Sequence, residues 1–297
     1  MIEPAIRTLT ASDGYQIHFR HWPSATPRGI VIALHGIQSH SGWYEASSLA
    51  MSEAGFDVYF ADRRGSGLNG FQRGHAAHGM RLIHDVLALK DLAQHEQQEP
   101  LPVILMGLSW GGKIAAATVA LFPNEFGSLA LLYPGLKPRI RPTPWQRFRL
   151  KAARCLEITK NQIEIPLQAP ELFTDNPESQ QFIANDPLAL HSVSSSLLNA
   201  GIDLDKFLTT HNKEIQCPVL LMLAGRDRII DNTRTRMTMA TLSTRHFTSL
   251  YYPNACHTLE FEQDRTIFFS DLIEWLTERG ENCTGRATLS SPPEFLA

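Results

Sequence analysis

The stretch Gly107-Leu108-Ser109-Trp110-Gly111-Gly112 follows directly on the apolar run PVILM and runs straight into KIAAATVAL, a helix-forming segment. A buried strand, a glycine-bounded turn and a helix in immediate succession restrict the possible folds more than any other feature of the chain. Such a turn forces the serine into a strained backbone conformation, and the small residues on either side let strand and helix approach closely. The bare G-x-S-x-G pentapeptide is common. The strand before it and the helix after it separate Ser109 from an ordinary serine at a helix start and make it a candidate nucleophile.

Short apolar or alternating runs recur on both sides of this turn. Residues Tyr15–Trp22, Gly29–His35, Asp57–Asp62, Pro102–Gly107, Ser128–Tyr133, Pro218–Gly225 and His246–Tyr252 read as strands. The continuous runs IVIAL, PVILMG and PVLLMLAG are the pattern of strands buried on both faces, as in the middle of a parallel sheet. Helical patterns fall between them at Ala46–Ala54, Met80–Glu96, Gly111–Leu121, Asn232–Leu242 and Arg265–Glu278. Alternation of this kind predicts an α/β fold with a doubly wound sheet. It breaks between Leu136 and Asn212, a proline-punctuated segment with helical patterns and no good strand. The expected organisation is a core from 1–135 and 213–280, a helical cap over the sheet's carboxyl edge at 136–212, and a polar, disordered tail at 281–297.

A chain of 297 residues, 43% hydrophobic, can bury one large core and carry an inserted cap. Its formal charge of −3 gives no electrostatic footprint for nucleic acid and suits a small neutral or weakly charged substrate. The start MIEPAIRTLTASDG has no apolar run long enough for a signal peptide or a span, so a cytoplasmic location is expected. Cys155, Cys217, Cys256 and Cys283 lack paired spacing and read as free thiols. Nothing calls for a cofactor. The pairs His35 with His40 and His75 with His78 sit in no recognisable ligand set, which weighs against a metal.

A serine hydroxyl attacks poorly until a base removes its proton, and the base needs a carboxylate to fix its tautomer. His257, after the run FTSLYYPNAC and before the terminal helix, is the candidate base. Asp227, at the end of PVLLMLAGR, is the candidate acid. Asp231 lies further into the loop, where it suits the N-cap of the helix beginning at Asn232. A developing oxyanion also needs backbone N–H donors. Trp110, the residue after the nucleophile, supplies one, and Ile37 supplies the other, Gly36 letting the loop after IVIAL turn toward the site. His35 reads as a brace for that loop.

HGIQSHSGWY, ADRRGSG, GLSWGG, AGRDRIID and NACHTLEFE, in this order, resemble the monoacylglycerol lipase and lysophospholipase branch of the α/β-hydrolases, also grouped with serine aminopeptidases. The resemblance spans roughly residues 12–278 and covers the cap loosely. It implies a mostly parallel sheet of about eight strands with an inserted helical cap, Ser109, Asp227 and His257 as a triad, and Ile37 and Trp110 as the oxyanion hole. The chain departs from the pattern at Trp110, where these lipases often carry methionine, and in ADRRGSG, where a histidine commonly precedes the second glycine.

The expected function is hydrolysis of acylglycerols, lysophospholipids or simple esters through an acyl-enzyme. An aminopeptidase, which would want acidic cap residues to hold an amine, and a thioesterase are the alternatives within enzymes. A non-catalytic binding protein on the same fold is the alternative outside them, and an ordered Ser, Asp and His argues against it. Dehalogenase chemistry would need Asp where Ser109 stands. Trp145, Phe148, Phe173, Phe182, Leu197, Leu198 and Phe207 could line an acyl pocket or simply form the cap's own core. From Lys137 to Lys160 the cap carries eight basic residues against the single acid Glu157, beside an apolar stripe that includes Trp145, Phe148 and Leu156. Such a stripe could touch an anionic lipid surface; the plainer reading has it packing on the sheet, with the basic side chains solvated.

Overall fold

The computed structural model describes residues 3–139 and 161–282. Ten strands occur among them: β1 Ala5–Thr10, β2 Gln16–Trp22, β3 Gly29–Leu34, β4 Phe56–Ala61, β5 Val103–Leu108, β6 Ser128–Leu132, β7 Gln162–Glu164, β8 Ser192–Ser194, β9 Val219–Ala224 and β10 Phe247–Tyr252. The helices are α1 Glu45–Glu53, α2 Gly79–His95, α3 Trp110–Leu121, α4 Pro177–Asn185, α5 Ser195–His211, α6 Asn232–Met239 and α7 Thr266–Asn282. Eight strands form one sheet in the order β1-β2-β4-β3-β5-β6-β9-β10. The pairs β1–β2 and β2–β4 are antiparallel, and from β4 through β10 every pairing is parallel.

The central strands β3, β4, β5, β6 and β9 are buried along their whole length, which is why their sequences carry no polar alternation. Helix α1 packs with α7, and α2 packs with α3, so the sheet is covered in layers. The seven strands read from the sequence all form, with no end shifted by more than one residue. β1, which that reading lacked, is an edge strand, and AIRTLT exposes every second residue or more. It buries too little to write an apolar pattern.

Residues 161–212 lie over the carboxyl ends of the parallel strands. The Leu190 N–H donates to Gln38 O at 2.9 Å, Ser194 N–H to Gly74 O at 2.8 Å, and Thr258 N–H to Phe173 O at 2.8 Å. These contacts reach the loops after β3, β4 and β10. The segment was expected to contain no strand, and here the structure differs: β7 and β8 pair antiparallel with Ile163 opposite Val193. Each strand is three residues long, QIE and SVS, with one apolar position apiece, too short for a period to emerge. Among the described residues no helix is long and apolar enough to cross a membrane. Residues 283–297, most of the expected disordered tail, lie outside the described residues.

Candidate active site

Ser109 stands between β5 and α3 with φ 49° and ψ −122°, a left-handed conformation that side chains rarely adopt. Three backbone bonds hold it there: its N–H donates to Leu132 O at 3.0 Å, and its carbonyl accepts from Gly112 N at 2.9 Å and from Gly135 N at 2.6 Å. The turn tolerates nothing larger than glycine at position 111, where a Cβ would lie 2.2 Å from Leu34 O. Helix α3 is thereby drawn against the end of β3, and the hydroxyl stands at the helix N-terminus.

His257 Nε2 lies 2.9 Å from Ser109 Oγ, and His257 Nδ1 lies 2.8 Å from Asp227 Oδ2. The other carboxylate oxygen, Asp227 Oδ1, accepts from the backbone N–H groups of Ile229 at 2.7 Å and Ile230 at 2.8 Å. His257 is 1% exposed and Asp227 5%. With the carboxylate fixed from behind, Nδ1–H is the favoured tautomer and Nε2 presents its lone pair to the serine. The rings of Tyr133 and Phe173 meet the imidazole edge-on at 4.9 Å and 6.0 Å, walling it with apolar groups. Asp231 Oδ1 accepts from Arg234 N at 3.0 Å as the N-cap of α6.

Residues of the loop after β3 come close to the serine. A Cβ on Gly36 would stand 3.3 Å from Ser109 Cβ and 3.5 Å from Ser109 Oγ, so a side chain there would crowd the Ser109 hydroxyl. Ile37 follows directly. Trp110 opens α3, where a helix leaves its backbone N–H groups without carbonyl partners. Both N–H groups are therefore candidates to meet an oxyanion on a substrate bound to Ser109.

His35 is buried within this loop. Its Nε2 accepts from Arg63 N at 2.9 Å, which leaves the proton on Nδ1 to donate to Gly36 O at 2.7 Å. Burial, with the Arg63 charge nearby, drives its pKa well down, so the ring is a neutral brace. Ser66, which stands where the related pattern has histidine, donates to Arg63 O at 2.6 Å and lies 3.1 Å from His35 Nε2. His40 reaches in the other direction. Its Nδ1 accepts from Gly42 N and its Nε2 lies 3.0 Å from Asp186, which also accepts from Trp43 Nε1 at 2.6 Å. His78 caps α2 through the Arg81 N–H, and His75 Nδ1 lies 3.1 Å from Ser194 Oγ. The two histidine pairs singled out in the sequence are thus directed at separate partners.

Of the candidate pocket residues, Phe173 lies against His257, while Phe182 packs on Trp43 and Phe261 and is 43% exposed. Leu197 is wholly buried, and Leu198 and Phe207 pack partly buried against the core. Helix α5, which carries Leu197 and Leu198, lies over the Trp110 indole, a Cβ on Gly201 falling 3.5 Å from it. Trp145, Phe148 and most of the basic run to Lys160 lie outside the described residues, as do Cys155 and Cys283. Cys217 and Cys256 are free thiols. Arg63, Asp186 and Glu260 carry no motif of their own; a charged residue inside an otherwise apolar or glycine-rich stretch is the signal they leave in the sequence.

The chain matches the family model described as serine aminopeptidase, S33, over residues 25–264. It belongs to that family. The match begins before β3 and ends after His257, so it takes in every residue of the arrangement above. Among its relatives, human monoglyceride lipase is 27% identical over 295 residues, covering 96% of this chain and 93% of its own length. A monoacylglycerol lipase of Mycolicibacterium smegmatis is 24% identical, covering 89% of this chain and 93% of its own. The crystal structure of a soluble variant of Saccharomyces cerevisiae monoglyceride lipase, in complex with a substrate analog, superposes with a TM-score of 0.83 at 20% identity. It covers 94% of this chain and 96% of that one. At that identity the superposition speaks for the shared fold.

Proposed function

We propose that this S33-family protein is a carboxylic-ester hydrolase acting on acyl esters of glycerol, monoacylglycerols foremost, through an acyl-enzyme on Ser109. The observation that carries the reading is the continuous chain from Ser109 Oγ to His257 Nε2 at 2.9 Å and from His257 Nδ1 to Asp227 at 2.8 Å. In this mechanism Ser109 Oγ attacks the ester carbonyl carbon as His257 Nε2 takes the hydroxyl proton. Asp227 stabilises the imidazolium that results. The carbonyl oxygen becomes an oxyanion that the N–H groups of Ile37 and Trp110 receive. Collapse of the tetrahedral intermediate breaks the bond to the alkoxy group, which takes the proton from His257 and departs as an alcohol. Water then attacks the acyl-serine with His257 again as base, releasing the fatty acid and restoring Ser109.

The names of the relatives support glycerol as the leaving alcohol, and the apolar surroundings of His257 support an acyl chain. An aminopeptidase would need a carboxylate free to hold the substrate's amine. Two acids of the segment over the strand ends are engaged: Asp186 by His40 and Trp43, Asp175 by Arg226. We read residues 136–212 as the lid of this site. The test is a hydrolysis panel of p-nitrophenyl esters from acetate to palmitate beside monoacylglycerol, lysophosphatidylcholine and aminoacyl anilides. Turnover of monoacylglycerol above the others is expected; cleavage of the anilides alone would overturn the ester reading.

A further inference from the structure

Two arginines stand side by side in ADRRGSG, and the fold treats them differently. Arg64 forks onto Asp85 at 2.6 Å and 2.7 Å and reaches Asp13 at 3.0 Å, so its charge is balanced. Arg63 is 7% exposed and, among the described residues, forms no ion pair with a carboxylate. Its sequence neighbour Asp62 accepts instead from the Ser41 N–H and hydroxyl and from Leu68 N. Burying a cation that has no direct carboxylate partner costs free energy; burial, opposed in part by the nearby Asp62 charge and reinforced by Arg73, pulls the pKa of Arg63 down to about 9. A charge kept in such a place at that cost calls for a reason outside packing.

The contacts of Arg63 supply one. Nη1 donates to Gly36 O at 3.0 Å, Nη2 donates to Ile37 O at 3.0 Å, and the guanidinium carbon lies 4.9 Å from the centre of the Trp110 ring. The Gly36 carbonyl and the Ile37 N–H are the two ends of one peptide group. A cationic donor on the carbonyl end both fixes the plane of that peptide and polarises it, which makes its N–H a stronger donor on the opposite side. His35 Nδ1–H donates to the same carbonyl at 2.7 Å, so the peptide is held by two donors. The other face of the guanidinium's reach is Trp110, whose own N–H is the second candidate donor.

We propose that Arg63 is a positioning residue for the oxyanion hole, holding and polarising the Gly36–Ile37 peptide and bracing Trp110. The proposal rests on the reading of Ser109 as the acyl-forming nucleophile. In the resting protein the guanidinium of Arg63 donates to two carbonyls and lies over an aromatic ring, while the Asp62 carboxylate acts on it through space without an ion pair. The tetrahedral oxyanion brings the negative charge that balances it, and this charge exists only on the way through the transition state. Its contribution therefore falls on kcat and leaves KM nearly alone.

The experiment compares the parent with Arg63→Met, which keeps the bulk and removes the charge, and Arg63→Lys, which keeps the charge but loses the planar two-nitrogen fork and its stacking plane. Active sites are counted with a fluorophosphonate so that only folded, reactive protein enters the rates. The substrate is p-nitrophenyl butyrate, and a boronic acid that adds to the serine serves as tetrahedral analogue. A parent that neither takes up the fluorophosphonate nor turns over the ester refutes the ester-hydrolase reading itself. With an active parent, kcat of Arg63→Met should fall roughly 10- to 100-fold with KM within about threefold, since one intact oxyanion donor is weakened and not removed. The inhibition constant of the boronic acid should weaken by the same factor, with Arg63→Lys between Met and parent. A variant with a lowered melting temperature whose kcat and boronic acid affinity match the parent's overturns the proposal, as does a rise in KM alone. If Arg63→Met does not fold, Arg63→Lys decides by the same two readouts.

Discussion

Replacing Asp227 with asparagine tests the site at the point where geometry dictates the outcome. Asp227 Oδ1 accepts from Ile229 N at 2.7 Å and from Ile230 N at 2.8 Å, and Oδ2 faces His257 Nδ1 at 2.8 Å. Two backbone donors converging on one oxygen leave the asparagine no choice of orientation. Its carbonyl oxygen must take the Oδ1 position, because the alternative would aim an NH₂ group at two N–H groups in a site only 5% exposed. The amide nitrogen then points at His257 Nδ1, which must accept and give up its proton, leaving the hydrogen on Nε2. A histidine in that tautomer donates to Ser109 instead of taking its proton. The cost expected for a wrong tautomer in an otherwise intact triad is about 10³–10⁴-fold in kcat, or about 4–5.5 kcal/mol of barrier. The fold should persist, since every backbone donor keeps an acceptor. The assay is kcat on p-nitrophenyl butyrate with a melting curve beside it and the His257 tautomer read by nitrogen–proton correlation NMR. Asp231→Asn serves as the control: its oxygen caps the Arg234 N–H at 3.0 Å, and asparagine caps equally well. A loss of less than tenfold in Asp227→Asn, or a larger loss in Asp231→Asn, refutes the reasoning.

Ser109→Ala should lower kcat by about 10⁵–10⁶-fold and abolish fluorophosphonate labelling without unfolding the protein; labelling that survives would assign the nucleophile elsewhere. Ser109→Gly should melt above Ser109→Ala, because only glycine relieves the φ of 49°, and equal melting temperatures would mean the turn stores no strain. Glu260 is 2% exposed, with Oε1 accepting from Ser47 N at 2.9 Å and Oε2 without a partner, and burial raises its pKa from 4.5 to about 7. A carboxyl raised in the folded state contributes stability at low pH that is lost as pH rises toward 7, so Glu260→Gln should match the parent in melting temperature near pH 4.5 and exceed it at pH 8. A gap that stays constant with pH would show that Glu260 does not titrate in this range. If the basic run from Lys137 to Lys160 faces a membrane, the protein should co-sediment with anionic vesicles at low salt and be released at high salt. Equal pelleting with neutral vesicles would make that run plain surface.

What could be read from the sequence, and what could not, divides along a physical line. Elements that follow from burial of a whole strand were legible: IVIAL, PVILMG and PVLLMLAG became β3, β5 and β9, the strands that carry Gly36, Ser109 and Asp227 at their carboxyl ends. Chain order then fixed which Asp and which His could meet the serine, and the structure brings Ser109, His257 and Asp227 within hydrogen-bond distance of one another in series. Elements that bury little were not legible: β1 at the sheet edge and the three-residue β7 and β8. Contacts made by long side chains after they leave the backbone were beyond reach for a different reason. Arg63 and Arg64 are adjacent and chemically identical, and nothing in ADRRGSG says that one will find Asp85 while the other threads under the loop after β3. That outcome depends on which carbonyls the loop leaves unpaired, and those exist only once β3, β4 and β5 have paired. His35 and His40 illustrate the same dependence. They lie five residues apart in one motif, yet one turns inward to brace the Gly36 carbonyl and the other reaches Asp186, 146 residues further along the chain. The motif HGIQSHS therefore performs two jobs, ordering the loop beside Ser109 and fastening the segment that carries Asp186. A loop whose carbonyls are tied to His35 and Arg63 from below and whose neighbour is tied to Asp186 from above has little freedom to drift. A preorganised donor needs that rigidity, because an N–H that must reorient as the oxyanion forms gives back much of the stabilisation it provides.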